Sequence, residues 1–244
     1  MFGNFNIDKR TLYIVIVALV VAGVYRYLSD TNAILGLLYS LPGILIAITF
    51  HEFAHAKTAD ILGDDTPRYE GRLTLNPIDH IDPVGFIMLL FARFGWGKPV
   101  HVNPVKFNRT ISMEKGNAIV CIAGPVTNFI LAILFAIIYF LIFRSVKIVP
   151  SSSLIVIKEI LEYTVFINIG LGLFNLIPLP PLDGSKVIKP FLPYNIKQWF
   201  ERNEMTFYII FIVIWITGLA DIIISPAIES IYNGLMNVVS LIIR

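Results

Sequence analysis

The sequence predicts an all-α polytopic membrane protein with about six transmembrane helices and a small β or re-entrant element between the second and third helices. Hydrophobic residues make up 56% of the 244 residues and charged residues only 15%, whereas a soluble domain carries about 25% charge. Mean hydropathy is +0.76. The chain also contains several apolar runs near 20 residues, a length that spans the hydrocarbon core of a bilayer. Basic residues, the third observation, concentrate in alternate connections between these runs.

Six apolar runs account for the predicted helices. The weakest is the last, because Glu229, Asn233 and Asn237 recur every four residues and give it one polar face. We therefore expect that run to be either a tilted span or an interfacial helix. In chain order the runs are 11–28, 33–62, 117–143, 154–177, 206–224 and 227–243.

The positions of Lys and Arg predict the orientation of the spans. The connections 63–115 and 178–205 carry most of the basic residues of the loops, and Lys9 and Arg10 precede the first run. The connections that alternate with these hold few basic residues. Because Lys and Arg mark the cytoplasmic side, we expect a multi-pass protein with both termini in the cytoplasm.

The largest connection, 63–115, is therefore expected on the cytoplasmic side. It contains the apolar stretch 84–94, which is about half the length of a span and fits a re-entrant or interfacial segment. No long polar stretch could form a separate soluble domain. The whole chain, 1–244, is predicted to be one integral membrane domain.

Composition also limits the partners of the protein. The formal net charge is only +2, which gives no electrostatic argument for nucleic acid. The single cysteine, Cys121, excludes an intramolecular disulfide and is predicted to be a small core residue. The expected surroundings are a lipid bilayer, and the oligomeric state is left open.

The motif that carries chemistry is His51-Glu52-Phe53-Ala54-His55, which lies inside an apolar run. On a helix, this spacing places two imidazoles one turn apart on the same face, with a carboxylate beside them. Such a pattern supplies two zinc ligands and a general base. Three ionisable groups at membrane depth are costly unless they serve a site. His51 lies about 27 Å along its run, which places it in the inner leaflet.

A catalytic zinc site needs a third protein ligand. The best candidate is Asp183, which follows three prolines that break the helix as the fourth run reaches the cytoplasmic side. Irregular backbone at membrane depth lines a cavity or is covered by protein. We expect Asp183 to meet His51 and His55 around one zinc ion per chain. The alternative is that Asp183 is only a turn residue before Gly184.

Three motifs resemble those of the site-2 protease family of intramembrane zinc metalloproteases. They are His51–His55, Gly124–Asn128 and the stretch 175–184. The stretches 71–77 and 95–104 are similar to those of the compact bacterial members of this family. No PDZ or CBS module is visible in the sequence.

The resemblance extends over about 38–189, and 33–189 is taken as the catalytic core. It implies that His51, His55 and Asp183 are the metal ligands and that Glu52 is the catalytic residue. It also implies a bacterial-type plasma membrane as the location.

The resemblance further implies a substrate-binding role for several residues. Asn175 is expected to bind substrate or the developing oxyanion, although a helix-end cap is an equal alternative. Strands over 71–76 or 95–103 are expected to pair with an unwound substrate by strand addition. The residues assigned to substrate binding are Asn175, Asn128, Gly71, Leu73, Gly95 and Val100. Asn128 and Asn168 could instead hydrogen-bond between helices.

The predicted function is zinc-dependent hydrolysis of a peptide bond in or near a transmembrane segment of a membrane-protein substrate, in regulated intramembrane proteolysis. Two alternatives stay open. One is a transporter or channel that uses the His/Glu/Asp cluster to pass metal ions or protons. The other is an inactive scaffold with a structural zinc. His80 and His101 are interpreted as packing or surface residues, and Lys158 and Glu162 as a local ion pair.

Overall fold

The computed structural model describes residues 9–92, 95–144 and 152–243. These residues form an all-α structure, as the sequence predicts. Two short 3-10 turns, Pro104–Lys106 and Lys189–Phe191, join longer helices. The α-helices are α1 (Lys9–Ser29), α2 (Thr31–Ile61), α3 (Thr66–Tyr69), α4 (Pro77–His80), α5 (Pro83–Ala92), α6 (Met113–Arg144), α7 (Ser152–Asn175), α8 (Asp183–Ile188), α9 (Tyr194–Arg202), α10 (Glu204–Ile216) and α11 (Leu219–Ile242).

Three helices are long and apolar enough to cross a membrane: Thr31–Ile61, Met113–Phe143 and Ile222–Ile242. The prediction of six spans is therefore correct for three helices only. The run 154–177 lies in α7, where Lys158, Glu159 and Glu162 place three charges in every stretch of 18 residues. The run 11–28 forms α1, but most side chains in the first half of that helix lie outside the described part of the chain.

The last two predicted runs are also divided differently. We expected a break between residues 224 and 227, but Pro226 lies inside α11. The break instead falls at Gly218, whose φ of +72° ends α10 after 13 residues. Glycine adopts this left-handed conformation without steric cost, and it commonly terminates helices. A helix of that length rises only about 20 Å, which is less than the hydrocarbon core.

The predicted β element does not form. Within 71–76 and 95–103 the structure describes no strand, and the nearest pairing is an isolated antiparallel bridge between Ile81 and Gly97. Pro77 begins α4, and Pro99 and Pro104 lack the N–H group that a ladder needs. The apolar stretch 84–94 contributes most of the short helix α5, as expected for a segment that does not cross, and its last two residues lie outside the described residues.

The chain divides into two compact units, which are Met1–Leu38 with Ile81–Lys98 and Tyr39–His80 with Pro99–Arg244. In the first unit, α1 packs against α5. The hydroxyl of Tyr27 donates to the carbonyl of Leu90, and the rings of Tyr27 and Phe91 meet edge to face with 6.0 Å between centroids.

The second unit holds the predicted catalytic motifs. Its core lies between α6, α7 and α11, where Ala132 and Ala136 on α6 pack against Val165 and Ile169 on α7 and Val239 on α11. Small residues at a helix interface allow close approach of the backbones. The short helix α8 also packs against α6, and this contact brings the C-terminal end of the catalytic core to the centre of the unit.

Candidate metal centre

Helix α2 presents its two histidines on a stripe of small residues. Gly43, Ala47, His51, His55 and Ala59 are spaced by four and are all buried. Residues four apart lie on one face of a helix. Because the other members of the stripe are glycine or alanine, neighbouring helices approach closely and the two imidazoles are enclosed between them.

Asp183 is the first residue of α8 and reaches both histidines. Its Oδ2 lies 3.1 Å from His51 Nε2 and 3.1 Å from His55 Nε2, and the two Nε2 atoms are 3.0 Å apart. These three are the only such cluster among the described His, Cys, Asp and Glu residues. The structure thus brings together the three residues predicted to be metal ligands, although 128 positions separate His55 from Asp183.

The proline-rich break and Gly184 together place Asp183. Helix α7 ends at Asn175, and the chain turns through Pro178, Pro180 and Pro181 before α8 begins. A side chain at Gly184 would collide with the carbonyl oxygens of Leu176 and Ile177. The glycine is therefore needed for close approach of α8 to the end of α7, rather than for the tight turn predicted from the sequence.

Hydrogen bonds on the far side of each ring fix the histidine tautomers. His55 Nδ1 lies 2.7 Å from the carbonyl oxygen of Val120. Because a carbonyl can only accept, Nδ1 carries the proton and Nε2 presents its lone pair to Asp183.

The same holds for His51, whose Nδ1 lies 2.7 Å from Asn128 Oδ1. The orientation of this amide follows from its nitrogen, which donates to the carbonyl of Ala47 at 3.1 Å and to Asn168 Oδ1 at 3.0 Å. Asn168 in turn donates to the carbonyl of Thr164. A buried chain of side chains across three helices therefore supports the His51 ring.

The hydrogen-bonded side chains behind His51 bear on the role predicted for Asn128. Both N–H groups of its amide are used and its oxygen faces His51, so the residue lies behind the imidazole. That placement favours the interhelical interpretation of Asn128 and Asn168 over a substrate contact. The contact of His55 with the Val120 carbonyl could not be predicted from the sequence, because any residue type supplies a main-chain acceptor.

Replacing Asn128 with leucine is expected to weaken zinc binding about 10- to 100-fold, the usual cost of losing a partner behind a metal-bound imidazole. Without the amide oxygen, His51 Nδ1 has no acceptor, and neither its tautomer nor its ring orientation is held. Competition with a calibrated chelator measures the affinity. Asn237→Leu, at an exposed position of α11, is the matched control. Equal affinities for Asn128→Leu and wild type would contradict this role.

The arrangement fits a zinc ion. Two imidazole lone pairs and a carboxylate oxygen at mutual distances of 3.0–3.1 Å repel one another unless a cation lies among them. Bonds of the length zinc forms with nitrogen and oxygen place tetrahedral ligand atoms about 3.3 Å apart, close to these separations.

Gly124 on α6 keeps the space beside these atoms open. A Cβ at this position would lie 2.6 Å from His55 Nε2 and 2.7 Å from His51 Nε2. Side chains do not approach this closely, so any residue larger than glycine would displace the imidazoles or fill the metal position. From the sequence, Gly124 is interpreted only as a motif residue that, with Pro125, allows close helix packing or a kink. Its contact with the metal position requires the tertiary structure.

Glu52 follows His51 in the chain and lies outside the cluster of the three predicted ligands. The residue is half-buried, and its Oε2 accepts a hydrogen bond of 3.1 Å from the backbone N–H of Val100. One carboxylate oxygen is thus held by the main chain. This arrangement is suited to a group that accepts and returns a proton without ligating a metal.

The remaining residues assigned to substrate binding are dispersed. Asn175 is the last residue of α7, and its amide donates to the carbonyl of Leu171 at 3.0 Å, as in the helix-end alternative. Gly71 is exposed with a φ of +70°, Leu73 is half-buried, and Gly95 belongs to the first unit. Of this set only Val100 is seen to contact the predicted catalytic residue, and the assigned roles stay predictions.

The other histidines lie outside the cluster. His80 is fully buried, with Nε2 2.8 Å from the carbonyl of Thr74, and His101 is exposed and lies 3.0 Å from Glu70. Both agree with the interpretation as packing or surface residues. Lys158 and Glu162 form the expected ion pair at 3.5 Å, and Cys121 is buried.

Comparison with known proteins places this site in context. The sequence profile of peptidase family M50 matches residues 142–217, a range that contains Asp183. The candidate zinc metalloprotease YwhC of Bacillus subtilis is 34% identical over 207 residues, which cover 84% of this chain and 93% of that protein. No solved structure matches significantly.

Two further relatives have similar names. The candidate zinc metalloprotease MJ0611 of Methanocaldococcus jannaschii is 31% identical over 190 residues, which cover 76% of this chain and 87% of the relative. The candidate zinc metalloprotease Rip2 of Mycobacterium tuberculosis is 30% identical over 155 residues, which cover 62% of this chain and 56% of the relative.

Proposed function

This chain belongs to peptidase family M50, the site-2 protease family, and we infer that it is an intramembrane zinc metalloprotease. Its reaction is hydrolysis of a peptide bond in or near a transmembrane segment of a membrane-protein substrate. The observation that carries this function is the convergence of the His51 and His55 imidazoles and the Asp183 carboxylate, with Glu52 next to His51 in the chain.

We assign His51, His55 and Asp183 as the ligands of one zinc ion per chain. Zinc supplies Lewis acidity, which activates water and polarises a carbonyl group. The protein supplies orientation, because the hydrogen bonds from Nδ1 of each histidine leave both Nε2 lone pairs directed at Asp183. Supporting groups of this kind usually fix the tautomer and ring position of metal-binding histidines.

Glu52 is assigned as the general base and then the general acid. Its carboxylate accepts a proton from the attacking water and later delivers it to the leaving amine. Because Val100 holds only Oε2, Oε1 is the oxygen that receives the proton. The half-buried position of Glu52 limits the access of bulk water to this step.

The segment 99–103 is the proposed contact for an unwound substrate. It forms neither helix nor strand in the structure, so its main-chain groups other than those bonded to Arg72, Glu52, Asp64 and Lys106 can pair with an extended peptide. A helical substrate would first have to unwind, since its own hydrogen bonds occupy the peptide groups. Roles for Gly71, Leu73, Gly95 and Asn175 in the same recognition remain part of this proposal.

The chain is a membrane protein, and we propose a multi-pass arrangement in the plasma membrane with both termini cytoplasmic. This orientation requires an even number of spans, so at least one helix besides the three apolar ones must cross. Helix α7 is the best candidate, because Lys158, Glu159 and Glu162 all lie in its first half and the remainder is apolar.

Metal analysis of purified variants tests the ligand set. We expect about one zinc per chain in the wild type and almost none in His51→Ala or Asp183→Ala, because three protein ligands are the minimum for such sites. His101→Ala, at an exposed histidine, is the control for nonspecific loss. Full zinc retention in Asp183→Ala would remove the third ligand and, with it, the proposed site.

A further inference from the structure

Two buried charged residues lie outside the metal centre. Asp64 is 0% exposed and Arg72 is 3% exposed. Neither forms an ion pair with a residue that the structure describes. Burying a charge is costly unless hydrogen bonds compensate it, so the partners of these side chains indicate what they do.

Both side chains hold the same extended segment. Arg72 Nη2 donates to the carbonyl of Pro99 at 3.1 Å, while Nη1 donates to the carbonyl of Asp79. Asp64 Oδ2 accepts the N–H of Asn103 at 2.6 Å. We call Pro99–Asn103 the strap, since one charged residue anchors each of its ends.

The strap reaches the metal centre between these anchors. The N–H of Val100, the residue after the Arg72 anchor, donates to Glu52 Oε2 at 3.1 Å. A glutamate side chain has three rotatable bonds, and one hydrogen bond to a fixed main-chain donor restricts them. The oxygen that remains, Oε1, then has a defined direction.

We propose that Asp64 and Arg72 are positioning residues of the proteolytic site, which fix the strap so that the Val100 N–H orients the carboxylate of Glu52. This inference rests on the proposed role of Glu52 as the base. A loop that needed only stability could be held by apolar packing, which is often as stabilising as buried charge. The charged anchors instead fix the position of a single main-chain donor.

Hydrogen exchange tests the contact without any substrate. In protein labelled with ¹⁵N-valine and purified in detergent, the Val100 amide should be protected in the wild type. Removing its acceptor in Glu52→Ala should accelerate its exchange at least about tenfold, because exchange follows the opening of the bond. Arg72→Met should do the same, while Val239, in the core of α11, stays protected. Equal Val100 exchange in wild type and Glu52→Ala overturns the proposal.

A pair of proline variants tests the consequence for catalysis. Val100→Pro removes the N–H that contacts Glu52, whereas His101→Pro puts the same residue at the adjacent, exposed position of the strap. Neighbouring N–H groups of an extended segment point to opposite sides. With a transmembrane substrate in proteoliposomes, we expect kcat of Val100→Pro to fall at least about tenfold with KM and zinc content unchanged, since a misplaced group costs up to about 100-fold. His101→Pro removes a donor of the proposed substrate contact but not the one that faces Glu52, so we expect its KM to rise and its kcat to stay near the wild-type value.

Each outcome of this pair has a defined meaning. Wild-type kcat in Val100→Pro, or a change in KM alone, overturns the orienting role and leaves the strap as a substrate contact only. Arg72→Lys keeps the positive charge but cannot donate to both carbonyls in the same way. Wild-type kcat in Arg72→Lys, with a lower kcat in Arg72→Met, would also overturn the orienting role. If the proline variants lose zinc, the exchange of Val100 decides the inference. If wild-type protein loaded with zinc cuts no substrate, the proposed function fails, and the exchange result still tests the contact.

Discussion

Glu52→Gln is expected to abolish proteolysis while the protein keeps its zinc. Glutamine has almost the same shape as glutamate, and its amide oxygen can still accept the Val100 N–H. The three ligand atoms belong to other residues, so metal binding is untouched. What disappears is the carboxylate that takes and returns a proton, a contribution usually worth about 10²- to 10⁴-fold in rate.

We therefore expect at least about a 100-fold loss of cleavage, with one zinc per chain retained. Cleavage is measured on a transmembrane substrate reconstituted in the same vesicles, and zinc is measured on the same preparation. Glu229→Gln, the same change at an exposed glutamate of α11, serves as the control. A transporter would instead show altered ion flux in Glu52→Gln, and a scaffold would keep its function. Unchanged cleavage would exclude Glu52 as the base.

Gly124→Ala is expected to abolish zinc binding through a single methyl group. The new Cβ would lie 2.6 Å from His55 Nε2 and 2.7 Å from His51 Nε2, far inside van der Waals contact. The rings cannot retreat easily, because Asn128 and Val120 hold their opposite nitrogens and α2 is packed on a stripe of small residues. Either the imidazoles move apart or the methyl group occupies the metal position, and in both cases the three-atom cluster is lost.

The expected stability of Gly124→Ala distinguishes loss of the zinc site from unfolding of the protein. Alanine favours helix over glycine by roughly 1 kcal/mol, so α6 itself should form at least as well in Gly124→Ala. We expect a folded protein with helical circular dichroism close to wild type and almost no bound zinc. Gly170→Ala is the matched control, since a Cβ there would meet only the flexible end of Ile228 at 3.3 Å. A Gly124→Ala protein with full zinc would show that the rings can be displaced at little cost.

Glu52→Gln and Gly124→Ala test separate parts of the proposed site. Glu52→Gln removes a proton acceptor and leaves the ligands, whereas Gly124→Ala removes the ligand geometry and leaves the proton acceptor. The strap bears on the first of these, because its Val100 N–H donates to Glu52. Activity that requires both residues, with zinc that requires only Gly124, is the pattern expected of a metalloprotease.

The sequence predicts most reliably the features that depend on residues close together in the chain. The spacing of His51 and His55 places both rings on one helix face whatever the rest of the fold does, and the prolines after Asn175 end a helix wherever they occur. Composition identified a membrane protein for the same reason, since apolar content is a property of residues. The sequence predicts Asp183 as a ligand only through the expected topology, which places the helix break in the same leaflet as His51 and His55.

Features that depend on contacts between distant segments were not accessible in this way. The predicted strands over 71–76 and 95–103 failed because strand formation needs a partner, and prolines deprive this region of donors. The break expected at Pro226 occurs at Gly218, because a proline can be accommodated inside a helix whereas a left-handed glycine ends one. Of the six predicted runs, the one in α7 carries three charges in its first half and the one in α10 ends at Gly218 after 13 residues, so neither matches the length and apolarity of the three spans.

From the sequence alone came the membrane setting and the prediction of His51 and His55 as ligands and of Glu52 as the proton-transferring group, because each depends on residue type and local spacing. Only the tertiary structure assigned Gly124 to the space beside the metal position, Asn128 to the support of His51, and Asp64 and Arg72 to the strap that reaches Glu52. These roles depend on which backbones come within a few ångströms of one another. That proximity is decided by the packing of α2, α6, α7 and α8 together, and no single segment encodes it.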